Sequence, residues 1–265
     1  MKILCSDFDG TLSHGGLDSK KCEAIHAWRV KGNKFGIISG RGATFSPYLK
    51  ETYPQLELDF LAMCNGAIIL DGDGKLIFRA VCRELPFRIL ANELFEAECP
   101  YFNVCGANDD WRGVLSVSQK AENLPTYATP ENSILIDDMF EIEQFTQICA
   151  VQPNLEKAAL LAKSLRERYG EWLNPMQNGE CIDIPPRGIG KAGAVRYLME
   201  HFGAAYDDMI TVGDNMNDAD MLREFRSYAM ASGMDAVKPL ANGIVSDVVE
   251  IFQIEENAAS ENSRG

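Results

Sequence analysis

Residues 2–6 and 34–39 are two short apolar runs, each leading into polar or acidic residues. Runs of that length match strands buried on both faces, with loops beyond their carboxyl ends. Between them, residues 18–31 carry Cys22, Ile25, His26 and Val30 at helical spacing, and Gly32 stands where a helix C-terminus favours glycine. The pattern predicts a βαβ unit. A third apolar run, residues 60–64, is followed by Asn65 and Gly66. Two further apolar stretches, 67–70 and 76–78, flank a turn rich in Asp and Gly, which predicts a hairpin. That turn is not a calcium loop, because Lys75 takes its fifth position and Leu76 stands where the sharp bend needs glycine.

The character changes over residues 82–186. Helical periodicity at 85–98 and 155–169 is interspersed with strand-like stretches at 113–117, 133–136 and 181–184, and Pro185 and Pro186 close the segment. Beyond it, a helix over 191–202, a strand over 209–212, a short helix over 218–225 and a strand over 228–231 resume the earlier alternation. The economical reading is an α/β fold. A Rossmann-like parallel-sheet core is formed by residues 1–81 and 187–256, interrupted by an inserted α+β domain over 82–186. Residues 257–265 are small, polar and charged, and predict a flexible tail.

Composition narrows the function classes. With 265 residues, 46% hydrophobic and 24% charged, the chain can bury one large or two modest cores. A formal net charge of −14 removes any general electrostatic attraction to nucleic acid or an anionic membrane, while a small anion can still bind a local positive pocket. No stretch approaches the roughly 20 apolar residues of a membrane helix, and the N-terminus runs into Asp7 and Asp9 without a signal-peptide core, so a cytoplasmic enzyme is expected. The eight cysteines show no zinc-type spacing and read as reduced thiols. His14, His26 and His201 are not spaced as a metal set. Oligomeric state is left open.

Four polar clusters fall where a doubly wound sheet places its ligand crevice. They are Asp7-Phe8-Asp9-Gly10-Thr11 after the first strand, Ser39-Gly40-Arg41 after the second, Lys191 opening a helix, and Gly213-Asp214-Asn215-Met216-Asn217-Asp218 after the 209–212 strand. In that order, DFDGT, SGR, a lone lysine and GDNMND resemble the four motifs of the haloacid dehalogenase-like hydrolases, and the match spans nearly the whole chain. At roughly 5 to 7% usage per residue type, the four specified positions of DxDGT alone arise by accident in well under about one such chain in a hundred. The insertion before Lys191, and Cys64-Asn65-Gly66-Ala67 leading into a hairpin, are similar to the Cof-like subgroup with a C2-type cap. Its members are mostly phosphatases of sugar phosphates and other small metabolites.

The resemblance implies an Mg²⁺-dependent phosphatase with Asp7 as nucleophile and Asp9 as general acid and base. It implies metal ligation by Asp7 and Asp214, with Asp9 offering its backbone carbonyl, and a cap roofing the site. Elementary chemistry agrees with the charge pattern. Three carboxylates converging in one crevice repel one another unless a hard cation joins them, and Mg²⁺ prefers oxygen ligands. Attack of a carboxylate on a phosphate dianion also needs positive charge at the transferring group. Lys191 can supply some of it, and Ser39, the Gly40 N–H and Asn217 are donors for phosphate oxygens. Asp218 can support the metal or cap its helix, and Arg41 can touch substrate or brace its loop.

A nucleotide P-loop is excluded, because Pro185 replaces its leading glycine and Ala192 its magnesium-binding hydroxyl. A phosphotransferase or phosphomutase on the same scaffold is the alternative enzyme. A response-regulator-like signalling module fits less well, since Cys64 and Asn65 occupy the position after the third strand where such a receiver carries its aspartate.

Overall fold

The computed structural model of the protein describes residues 1–135 and 142–262. Strand β1 (Ile3–Ser6) leads to helix α1 (Ser19–Val30), β2 (Lys34–Ile38), α2 (Phe45–Thr52) and β3 (Phe60–Met63), and a hairpin of β4 (Ile68–Asp71) and β5 (Leu76–Arg79) follows. The chain then departs through α3 (Phe87–Glu96), β6 (Tyr101–Cys105), β7 (Val114–Ser118), β8 (Ser133–Leu135), β9 (Gln147–Val151), α4 (Leu155–Tyr169), β10 (Met176–Asn178) and β11 (Cys181–Ile184). It returns as α5 (Lys191–Phe202), β12 (Met209–Gly213), α6 (Ala219–Glu224), β13 (Arg226–Met230), β14 (Gly243–Val245) and α7 (Val248–Asn262).

The outer segments form one eight-stranded sheet in the order β14-β13-β12-β1-β2-β3-β4-β5, and the middle segment forms a six-stranded sheet in the order β10-β11-β9-β6-β7-β8. The first sheet is parallel from β14 to β3 and turns antiparallel only at the β4 and β5 edge. This is the α/β core with an α+β insertion that the hydrophobic pattern predicts. Every residue of β1 is buried. Ile3 and Cys5 pack with Val195 and Leu198 of α5, whereas Leu4 packs on the opposite face with Ile25, Trp28 and Phe252. Period-2 alternation between two apolar faces is why this strand reads as a continuous hydrophobic run. It also puts Asp7 at the centre of the sheet's carboxyl edge.

Several elements differ from the sequence expectation. Helix α2, strands β6, β9, β10 and β14 and helix α7 are not predicted, and the strand expected at 228–231 runs Arg226–Met230. The shift arises because Ser227, polar yet 0% exposed, is accommodated in the strand by donating its hydroxyl to the Leu222 carbonyl at 2.6 Å. Helix α7 continues through Asn262, into the stretch 257–265 expected to be a flexible tail, and residues 263–265 lie outside the described residues. Residue 136, the end of an expected strand, also lies outside them. No helix among the described residues is long and apolar enough to cross a membrane.

One polar anchor ties β2 to α1. Asp59 accepts from Arg29 Nε at 2.7 Å, Lys34 Nζ at 2.9 Å and the Phe35 N–H at 3.0 Å. Burial pushes its carboxyl up, but these donors more than offset that, and the net position is below the usual aspartate value. A carboxyl lowered on folding contributes stability above its unfolded pKa of about 3.9 and loses it as pH falls through the lower folded value. Asp59→Asn is therefore expected to destabilise the protein at pH 7 by about 1 to 3 kcal/mol. The gap between variant and wild-type urea midpoints should close below about pH 4. A gap that stays constant down to pH 3 would exclude the ionised carboxylate as its source.

Candidate active site

Asp7 follows β1 directly, and its N–H donates to the Val212 carbonyl of β12 at 2.9 Å. The chain then coils tightly, with the Leu12 N–H returning to the Asp7 carbonyl at 3.2 Å. Gly10 makes this turn possible. Its φ is +76°, and a Cβ there would lie 2.4 Å from Asp214 Oδ2, so only glycine lets the backbone approach that carboxylate. Thr11, fully buried, donates its hydroxyl to Asp214 Oδ1 at 2.8 Å. The first and last motifs, more than two hundred residues apart, therefore meet because β1 and β12 are neighbours.

Lys191 is the first residue of α5, with 2% exposure. Its ammonium donates to Asp7 Oδ1 at 2.6 Å and to Asp218 Oδ1 at 2.5 Å. The remaining oxygen of Asp218 accepts from the N–H groups of Asp214 and Asn215 at 2.9 and 3.1 Å. Asp218 thus does not cap the helix it precedes; its carboxylate shapes the preceding loop and pairs with Lys191.

The electrostatics follow from burial and from a shortage of positive charge. Burial pushes the Asp7 carboxyl well above the usual aspartate range, Lys191 acts against this, and Asp218 and Asp214 add to it. Asp214 is also raised, first by burial, with the Thr11 hydroxyl opposing. Burial disfavours the Lys191 charge, yet Asp218 and Asp7 outweigh that and hold its ammonium above the usual lysine value. Both partners of the Lys191–Asp7 pair move up because one ammonium serves two carboxylates, while Asp7 meets two further acids. Oxygens of Asp7, Asp214 and Asp218 lie within 4.8 Å of one another, so three hard donors converge where positive charge is lacking.

Asp9 lies differently. Its carboxylate receives both prongs of the Arg41 guanidinium, Nε and Nη2, at 2.7 Å each. Arg41 is braced in turn by the rings of Phe8, Phe45 and Tyr48, 5.0 to 5.3 Å from their centroids. The fork pairs the first motif with the second, a partnership that sequence reading leaves open. Ser39 is buried at the end of β2, with its Oγ accepting from the Arg41 N–H at 3.2 Å. Gly40 abuts Asp183, a residue of the second sheet. Asn217 is half-buried and lines a cleft with Arg166, Asn174 and Gln177.

Sequence reading does not single out Asn65, Gln147 or Asp183 as parts of one group, although Asn65 bonds to both of the others. The usable signal was polar residues within apolar strands, as at Gln147 in β9 and Asp183 in β11.

The chain is similar to known proteins over almost its whole length. Pyridoxal phosphate phosphatase YbhA of Escherichia coli (strain K12) is 26% identical over 266 residues, covering 93% of each chain. A HAD/COF-like hydrolase from Plasmodium vivax superposes with a TM-score of 0.79 at 19% identity, covering 97% of this chain and 96% of that one. A subclass IIB sugar phosphatase does so with a TM-score of 0.74 at 18% identity, covering 97% and 99%. The haloacid dehalogenase-like hydrolase family model matches residues 4–250. With that match spanning both sheets and all four polar clusters, the chain belongs to the haloacid dehalogenase-like hydrolases.

Proposed function

We propose that this phosphatase hydrolyses a small phosphorylated metabolite, with sugar phosphates as the leading class, using Mg²⁺ and an aspartyl-phosphate formed on Asp7. The observation that carries the reading is the buried Lys191 ammonium bridging Asp7 and Asp218 beside Asp214. An all-oxygen, net negative donor set suits a hard divalent cation. Asp7 and Asp214 would hold the ion with the Asp9 backbone carbonyl, while Asp218, engaged by Lys191 and two N–H groups, supports them. When bound, the ion supplies positive charge to the phosphate oxygens.

In the first displacement an Asp7 carboxylate oxygen bonds to phosphorus as the ester oxygen leaves, taking a proton from Asp9. In the second, water attacks phosphorus, gives its proton to Asp9 and releases Asp7. Asp9 must exchange its Arg41 fork for the leaving oxygen. Ser39, the Gly40 N–H, Lys191 and Asn217 would receive the phosphate oxygens. The second sheet, residues 82–186, would act as the cap that selects the leaving group.

Phosphate release from a sugar-phosphate panel and p-nitrophenyl phosphate, with Mg²⁺ and after chelation, tests this. Turnover of at least one sugar phosphate that disappears with chelator and returns with Mg²⁺ is expected. Turnover indifferent to chelation would overturn the metal assignment. Transfer of phosphate to an added alcohol in place of water would reassign the enzyme as a phosphotransferase.

A further inference from the structure

A second polar group is sealed between the two sheets, outside the acid cluster. Asn65, Gln147 and Asp183 are 0%, 1% and 3% exposed, and come from the turn after β3, the start of β9 and the middle of β11. Asn65 Nδ2 donates to Asp183 Oδ2 at 2.9 Å and to Gln147 Oε1 at 3.0 Å. Gln147 Nε2 donates to the Gly40 carbonyl at 3.0 Å. The result is a continuous chain from a carboxylate of the second sheet to the loop after β2.

Its direction is forced. A carbonyl at one end and a carboxylate oxygen at the other are both acceptors, so the two amides between them must present nitrogen at both ends. Flipping Asn65 would set its oxygen against two other oxygens. The orientation adopted leaves Asn65 Oδ1 buried with no hydrogen-bond partner among the described residues, an arrangement that native structures rarely retain. The backbone adds strain. Cys64 and Asn65 both take the left-handed region, φ 52° and 55°, which asparagine tolerates but which is unfavourable for Cys64. Orphaned polarity and strain together mark a position held for a purpose other than stability.

The loop at the far end explains that purpose. Residues 39–41 are held from the first sheet by the Asn65 N–H on the Ser39 carbonyl at 2.9 Å and the Cys64 N–H on the Arg41 carbonyl at 2.8 Å. Gly40 lies between these ties, and its carbonyl is held by Gln147. A Cβ on Gly40 would sit 2.9 Å from Asp183 Oδ2 and 3.3 Å from Asn65 Oδ1, so the group lies directly against this residue. We propose that Gln147 and Asp183 are positioning residues: the seating of the second sheet on the first fixes the Gly40–Arg41 peptide through its carbonyl and so, across the Gly40 Cα, sets the direction of the Gly40 N–H for phosphate. This rests on the reading of residues 39–40 as a phosphate loop. It makes phosphate affinity depend on two side chains of the inserted sheet.

The test compares wild type, Gln147→Met and Gln147→Glu by calorimetric titration of inorganic phosphate with Mg²⁺, and by kcat and KM on a turned-over phosphate ester. Both variants are expected to weaken phosphate about tenfold, in line with partners one step removed from a liganding group. KM should rise more than kcat falls. Glu should be worse than Met at neutral pH, where a carboxylate oxygen replaces the donor facing the Gly40 carbonyl. Toward pH 5 the Glu deficit relative to wild type should shrink, because a protonated carboxyl can donate again, while the Met deficit should not. A packing defect alone would not produce that pH difference. Asp183→Asn, which keeps the shape but lets the amides flip, should give a smaller loss in the same direction, and it decides the matter if the Gln147 variants do not fold. Unchanged phosphate affinity and KM in folded variants of an active wild type would overturn the proposal and leave the phosphatase reading standing. A wild type that neither binds phosphate nor hydrolyses any ester would overturn both.

Discussion

Asp7→Asn is expected to lower phosphate release by on the order of 10⁴-fold or more, because an amide oxygen is a poor nucleophile and the proposed aspartyl-phosphate forms on Asp7. The variant should nevertheless stay folded. One ammonium faces the carboxylates of Asp7 and Asp218 with Asp214 close by, so removing one negative charge relieves repulsion while the amide oxygen can still accept from Lys191. A thermal midpoint at pH 7 without metal that is unchanged or higher than wild type is therefore expected, together with weaker Mg²⁺ stabilisation. This opposition between activity and stability is typical of charge concentrated for chemistry. If activity and midpoint fall together, the loss reflects misfolding and the nucleophile assignment loses its support. If turnover survives, the assignment is wrong.

Lys191→Met is expected to have the largest effect on stability. Lys191 is almost completely buried, and both its partners are too, so its removal leaves two carboxylates in a poorly solvated crevice without a counter-charge. Breaking a buried ion pair from one side typically costs about 3 to 5 kcal/mol. For a chain of this size that corresponds to a fall of roughly 10 °C in the thermal midpoint. Turnover should also fall by about 10² to 10³ if Lys191 is, as proposed, a fixed cationic donor to the transferring phosphate. Added Mg²⁺ should recover part of the stability and little of the activity, because a cation can neutralise the acids but cannot replace the ammonium's position. Matching wild-type and variant midpoints in chelator would refute the view that this lysine balances the acid cluster.

The core strands were legible because each is an apolar run buried on both faces. Such a run needs no partner information to be recognised, and β1, β2, β3 and β12 all follow this pattern. Asp7 and Asp214 were legible because polar residues directly after such runs fall at the crevice beyond the sheet's carboxyl edge; Lys191, which alone reads as well as a solvated helix-end lysine, was legible only through its place in the ordered four-motif resemblance. The strands of the inserted sheet were harder. In β6, Tyr101 and Asn103 are half-buried while Phe102 and Val104 are buried, and Asn103 is occupied by Tyr127 and Ser116. The alternation is present, but it spans only five residues, four of them Tyr, Phe, Val and Cys, so little polar contrast carries it. Helix α7 is not legible because its sequence runs into small and polar residues, and its order comes from Ile251 and Phe252 packed in the core that holds Trp28 and Phe35.

Taken alone, the chain's order of apolar runs determined the α/β class, which depends on local periodicity, and the resemblance of its four polar clusters to known motifs gave the family. Only the tertiary structure decided who pairs with whom. The Asp9 carboxylate lies in the fork of Arg41, Asp218 serves Lys191 instead of its own helix, and Gln147 holds a carbonyl of a loop 107 positions away in sequence. Those choices depend on which strands become neighbours and on how few donors a buried group can reach. Both are properties of the folded whole, and no stretch of sequence carries them.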